Sequence, residues 1–208
     1  MKKLWDISPP VDAASPVFPG DTPYRQSWSA TLSPDCPVNV CAITLSPHVG
    51  AHADAPLHYD PAGRAVGALD LDPYLGPCRV IDARGCGALV RIEHLAHALA
   101  ALPPRVLVRT CARFPFARFD DALCGIAPEA VVALAQRGVR LIGIDSASVD
   151  PAASKTLDAH QALRRLDLRV LENLVLDDVP PGDYELIALP LKLMSADASP
   201  VRAVLREL

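Results

Sequence analysis

No stretch of the chain approaches the ~20 uninterrupted apolar residues that a helix needs to cross a bilayer, which argues against a helical membrane protein. The opening MKKLWDISPP holds two lysines but no apolar run of leader length ahead of Asp6 and the prolines, so the expected location is the cytoplasm. Basic residues are not in excess: 20 Lys and Arg stand against 24 Asp and Glu, a net charge of −4, which leaves no footprint for nucleic acid. The six cysteines, Cys36, Cys41, Cys78, Cys86, Cys111 and Cys124, include no C-x-x-C pair. In a long chain without a leader they are expected as free thiols in or near the core, not as a disulfide framework. Internal repeats and low-complexity linkers are missing too. With 208 residues, half of them hydrophobic, the chain suits one well-packed globular domain spanning 1–208.

What the chain does have is proline, 21 residues of it, so much of the backbone must run in turns and extended loops. Residues 6–37, rich in Pro, Ser and Asp, are expected to wrap the surface and contribute loops to a site. The apolar runs CRVIDAR (78–84), RVLVRT (105–110) and VRLIGID (139–145), each bounded by Gly or Pro, read as strands. Between the last two, APEAVVALAQRG reads as a helix, with Pro128 in its first turn and Gly138 past its end. Shorter helices are expected over 91–99 and 157–166. The class is mixed α/β, and the strand–helix–strand unit over 105–145 requires part of the sheet to be parallel.

SPHVGAHADAPLHYD gathers three of the chain's six histidines, with His48, His52, Asp54 and His58 inside eleven residues. Pro47 and Gly50 argue against a helix here. In an extended chain 48, 50, 52 and 54 share one face, but a straight strand separates His48 from Asp54 by ~20 Å, too far for one metal site. The segment must curl, and Gly50 is the residue best able to let it. Two imidazoles and a carboxylate suit zinc or a similar divalent ion, the alternative being a polar loop with no ligand. His94 and His97, at i, i+3 on a polar helix, read as surface residues.

Further donors are on offer. Alternation in DLRVLENLVLDD puts Glu172 on a strand face with Leu168, Val170, Leu174 and Leu176, where a carboxylate is costly without a cation, either an arginine or a metal. His160 lies twelve residues earlier, in the helix before that strand, and can approach across the turn. Each alone is as readily structural.

HVGAHADAPLH resembles the H-x-G-T-H-x-D-x-P-x-H signature of the cyclase-like metal-dependent amidohydrolases, with Ala51 where threonine is common. More blocks follow in the family's order: WDIS and FPGDTPY, then GIDSASVDP, DAHQALRR with VLENL, and ALPLKL with SPVRAVL. Several separate blocks make the resemblance specific. It is closest to the members that cleave aryl formamides, and it extends over nearly the whole chain. It implies the family's swivelling β/β/α arrangement, a homodimer or larger homo-oligomer, and two zinc ions per chain. By position it makes His48, His52, Asp54, His160 and Glu172 metal ligands, with Asp54 bridging. It makes His58 the catalytic proton-transfer residue and Phe18 a contact to the substrate's aromatic part. The implied reaction is hydrolysis of N-formyl-L-kynurenine to L-kynurenine and formate in tryptophan degradation. Opening of a cyclic amide such as isatin is one alternative. A non-enzymatic metal-binding protein is another, against which an intact His58 counts.

Overall fold

Short apolar runs punctuated by glycine and proline become strands, and most of them gather into one sheet. The computed structural model describes residues 2–208. Over these residues the strands are β1 (Leu4–Asp6), β2 (Arg25–Ala30), β3 (Val40–Thr44), β4 (His52–Asp54), β5 (Leu75–Asp82), β6 (Leu89–Val90) and β7 (Arg105–Arg109). They continue with β8 (Gly125–Ile126), β9 (Leu141–Ile144), β10 (Arg169–Glu172), β11 (Gly182–Ile187), β12 (Ala198–Pro200) and β13 (Val204–Arg206). The α-helices are α1 (Ile92–Leu95), α2 (Pro128–Ala135) and α3 (Asp158–Leu166).

A curled nine-stranded sheet runs in the order β1-β13-β11-β5-β7-β9-β10-β4-β12. Its centre, β5, β7, β9 and β10, is parallel, and the flanking pairs are antiparallel. The β7–α2–β9 crossover is the unit expected over 105–145. Period-two alternation divides the core between the two faces of the sheet. Val106, Val108, Ile142, Ile144 and Val170 pack with Leu134 of α2 and Leu163 of α3. Leu107, Leu141 and Leu171 join Ile7, Tyr74 and Leu205 in the other cluster. Each large buried aliphatic side chain here contributes about 1.5–3 kcal/mol.

Four expectations change. The helix expected over 91–99 is α1 followed by a 3-10 turn at Ala96–Ala98, because Ala101 turns at φ 48° and two prolines follow. Glu172 does follow Leu168 and Val170 on their face, but it ends the strand. Asn173 sits at φ 58°, and the reversal throws Leu174 and Leu176 into the opposite cluster with Leu171. All six cysteines are free thiols, as expected, but only Cys78 is fully buried, four are half-buried and Cys41 is exposed. Cys41 is exposed because it lies on β3, which pairs only with β2 in a hairpin outside the main sheet that the sequence reading did not anticipate. The loops before β2 behave as expected: they wrap the surface and bring Pro16, Val17, Phe18 and Asp21 to a cleft.

Candidate metal centre

Gly50 makes the required curl at φ 71°, and a Cβ there would stand 2.6 Å from Val11 Cγ2. The chain then enters β4, which lies between β10 and β12. This register sets His52 opposite Glu172 and Asp54 opposite Val170 and Ala198, while Ala53 packs into the core. His160 arrives from α3. Asp150 accepts hydrogen bonds from the Ala159 and His160 backbone N–H groups at the start of that helix (2.9 and 3.0 Å), and from His160 Nδ1 at 2.7 Å. The centre therefore sits at the carboxyl ends of parallel strands β9 and β10, where open α/β sheets commonly place ligands.

Five of the expected residues converge, and in each histidine one ring nitrogen is already engaged. His52 Nδ1 donates to the Gly50 carbonyl (2.9 Å), His160 Nδ1 is held by Asp150, and His48 Nε2 is 3.0 Å from Asp197. In the neutral ring the other nitrogen of each then presents a lone pair inward. His48 Nδ1 and His52 Nε2 face Asp54 Oδ1 at 3.1 and 3.3 Å. His160 Nε2 faces Asp54 Oδ2 at 3.2 Å. Glu172 lies 3.4 Å from His52 and 3.6 Å from His160 through its two oxygens. Its Oε1 also accepts the Val149 N–H at 2.8 Å.

Acceptors facing acceptors in a buried site call for positive charge. His52 Nε2 and Asp54 Oδ1 are buried without a hydrogen-bond partner among the described residues, despite their proximity. Burial opposes charging His52, yet Asp54 and Glu172 outweigh it and raise its pKa to about 10. Burial likewise opposes charging His160, and Asp150 and Asp54 lift it to about 10. Burial alone would raise Asp54, but His160, His48 and His52 hold it well below the usual carboxylate range. A divalent cation would supply the missing charge with all three imidazoles neutral, so the donor set fits a metal. Groups able to hold one include His48 with His52 and Asp54, and also Asp54 with His58 and His160.

His58 is exposed, about a third of its side chain open to solvent (33%). Its ring centroid is 4.3 Å from that of His48, and Nδ1 lies 3.2 Å from Asp197 Oδ2. Phe18 and His58 line one cleft of about 260 Å³, Phe18 standing edge-on to Phe119 at 5.1 Å with Phe114 and Leu123 in the same lining. The buried Ser146 hydroxyl lines this cleft and has no partner among the described residues.

Two acidic residues escape sequence reasoning. Asp150 lies in GIDSASVDP, eight residues ahead of α3 and too far to read as its cap, and only the fold returns it to the Ala159 and His160 N–H groups. Asp197, which links His48 to His58, is a lone carboxylate far along the chain with no local pattern to mark it.

The chain matches the family model described as "Putative cyclase" over residues 5–151. A Bordetella pertussis relative named "Kynurenine formamidase" is 68% identical over 208 residues, covering 100% of both chains. The solved structure of a "predicted metal-dependent hydrolase from Bacillus stearothermophilus" is similar, with a TM-score of 0.85 at 28% identity and 100% of both chains covered. An isatin hydrolase shares the fold, with a TM-score of 0.84 at 23% identity over 99% of this chain and 92% of its own.

Proposed function

We propose, from the premise that this chain belongs to the cyclase family, that it hydrolyses N-formyl-L-kynurenine to L-kynurenine and formate, a step of tryptophan degradation, with two zinc ions per chain. The observation that carries this reading is Asp54, whose Oδ1 faces His48 and His52 while Oδ2 faces His160, a bridging disposition beside an aromatic-walled cleft. The choice of substrate is supported by the full-length likeness to a relative named kynurenine formamidase.

In this reading His48, His52, Asp54, His160 and Glu172 hold the metal. Zinc bound there supplies Lewis acidity, lowering the pKa of water to about 7 and polarising a carbonyl oxygen. Phe18 and Phe119 hold the aryl ring. The formyl carbon is small and open to attack, so the difficulty lies in expelling an arylamine as an anion. His58 answers it: with Nδ1 turned to Asp197, Nε2 is the atom that delivers a proton to the departing nitrogen. Asp197 fixes that ring's orientation.

The reading includes a homodimer or larger homo-oligomer in the cytoplasm. No helix among the described residues is long and apolar enough to cross a membrane. The exposed β2–β3 hairpin offers a second copy a surface to cover.

The test is turnover. Metal-loaded protein should release kynurenine from N-formyl-L-kynurenine, chelation should abolish this, and zinc should restore it. Opening of isatin with no cleavage of the formamide would overturn the reading. Metal analysis should find about two ions per chain, and a single ion in fully active protein removes the two-metal version.

A further inference from the structure

The buried floor of the cleft accounts for a formamide and its ring, but not for the charged residues at its rim. Arg118 lines the cleft from the loop that also carries Phe114 and Phe119. Its side chain is exposed, and no carboxylate of the described residues pairs with it. Asp21 and Asp120 line the same cleft. Each spends one oxygen on a neighbouring backbone N–H, Asp21 on Thr22 at 2.7 Å and Asp120 on Ala122 at 3.2 Å. The rim thus presents a guanidinium and two carboxylates, a pattern complementary to a zwitterion.

N-formyl-L-kynurenine is divided in the same way. The reacting formamide and the ring form one end. A short ketone chain leads to the other, an α-carboxylate beside an α-ammonium. The ketone chain leaves the ring ortho to the formamide, and with the ring against Phe18 and Phe119 its amino-acid end is assigned here to the charged rim.

We infer that Arg118 is the specificity-determining residue for that end, its guanidinium receiving the α-carboxylate through paired N–H···O bonds while the α-ammonium faces Asp21 and Asp120. The inference rests on the formamidase reading above. The planar fork matters as well as the charge, since an ammonium cannot reproduce two parallel hydrogen bonds.

Binding tests this without turnover. L-kynurenine and 2′-aminopropiophenone, which keeps the aryl ketone and lacks the amino-acid end, are titrated calorimetrically into metal-loaded wild type, Arg118→Gln and Arg118→Lys. Wild type should prefer L-kynurenine. Arg118→Gln should weaken L-kynurenine roughly tenfold, a charged hydrogen-bond pair discounted for exposure, and leave the aminoketone unmoved. Arg118→Lys should fall between. In kinetics, KM for N-formyl-L-kynurenine should rise by the same factor with kcat retained, and KM for 2′-formamidopropiophenone should not change. Equal binding of the two ligands by wild type, or equal weakening of both by Arg118→Gln, overturns the subsite. Failure of wild type to cleave either formamide defeats the function reading instead, and the binding arms still decide the fate of Arg118.

Discussion

His58 sits past Pro56, four residues beyond Asp54, with Nδ1 turned to Asp197 and its ring near enough to Asp54 and His160 that proton donor and ligand must be told apart by experiment. Acting as a proton donor, it should be removable without loss of metal. His58→Ala should keep its metal content and slow kcat by roughly 10²–10⁴-fold, and the loss should shrink for formanilides with electron-withdrawing ring substituents. Loss of metal in that variant would make His58 a ligand. Glu172 poses the opposite case. Glu172→Gln keeps an oxygen for the Val149 N–H but loses the charge facing His52 and His160. Metal content should therefore fall more than thermal stability, and the reverse outcome would mark a structural ion pair. At this scale His48, His52, Asp54 and His58 were legible because the donors cluster in sequence around Gly50. Asp197 was not, because its partners are brought to it only by the folded sheet.

The strands β5, β7 and β9 were legible as elements, each being an apolar run between breakers. The hairpin β2–β3 was not: RQSWSA is too polar to stand out, and nothing in the described structure buries it. A two-stranded sheet alone is marginal in water, yet this one exposes Trp28 and Ile43. Trp28→Glu should shift the protein toward monomer in light scattering while its circular dichroism stays unchanged, and an unmoved oligomer would place the contact elsewhere. A second element-scale expectation concerns β8. A Cβ on Gly125 would lie 2.6 Å from the Val149 carbonyl oxygen, and the Val149 N–H holds Glu172. Gly125→Ala should cost about 1–3 kcal/mol in denaturant unfolding and weaken metal retention as well, because the displaced backbone is the one that orients a donor. The misplacement of Leu174 and Leu176 also belongs here. Strict alternation carries past Asn173, but asparagine tolerates the left-handed region, and its turn at φ 58° reverses the face there.

For the whole molecule, the order of strands in space differs from their order in synthesis. β4 is made early, but the strands on either side of it, β10 and β12, come from Arg169–Glu172 and Ala198–Pro200. A ribosome adding about 5–20 residues per second leaves the His48–Asp54 segment without its sheet partners for on the order of ten seconds. During that interval its imidazoles and carboxylate are a flexible string and not a cage. Pairing across such sequence separations is slow to nucleate, so the centre is among the last parts to take shape. A metal would then be captured by the finished chain, since a nascent protein interrupted just before Ala198 carries all five donors with nothing to hold β4 on its outer side.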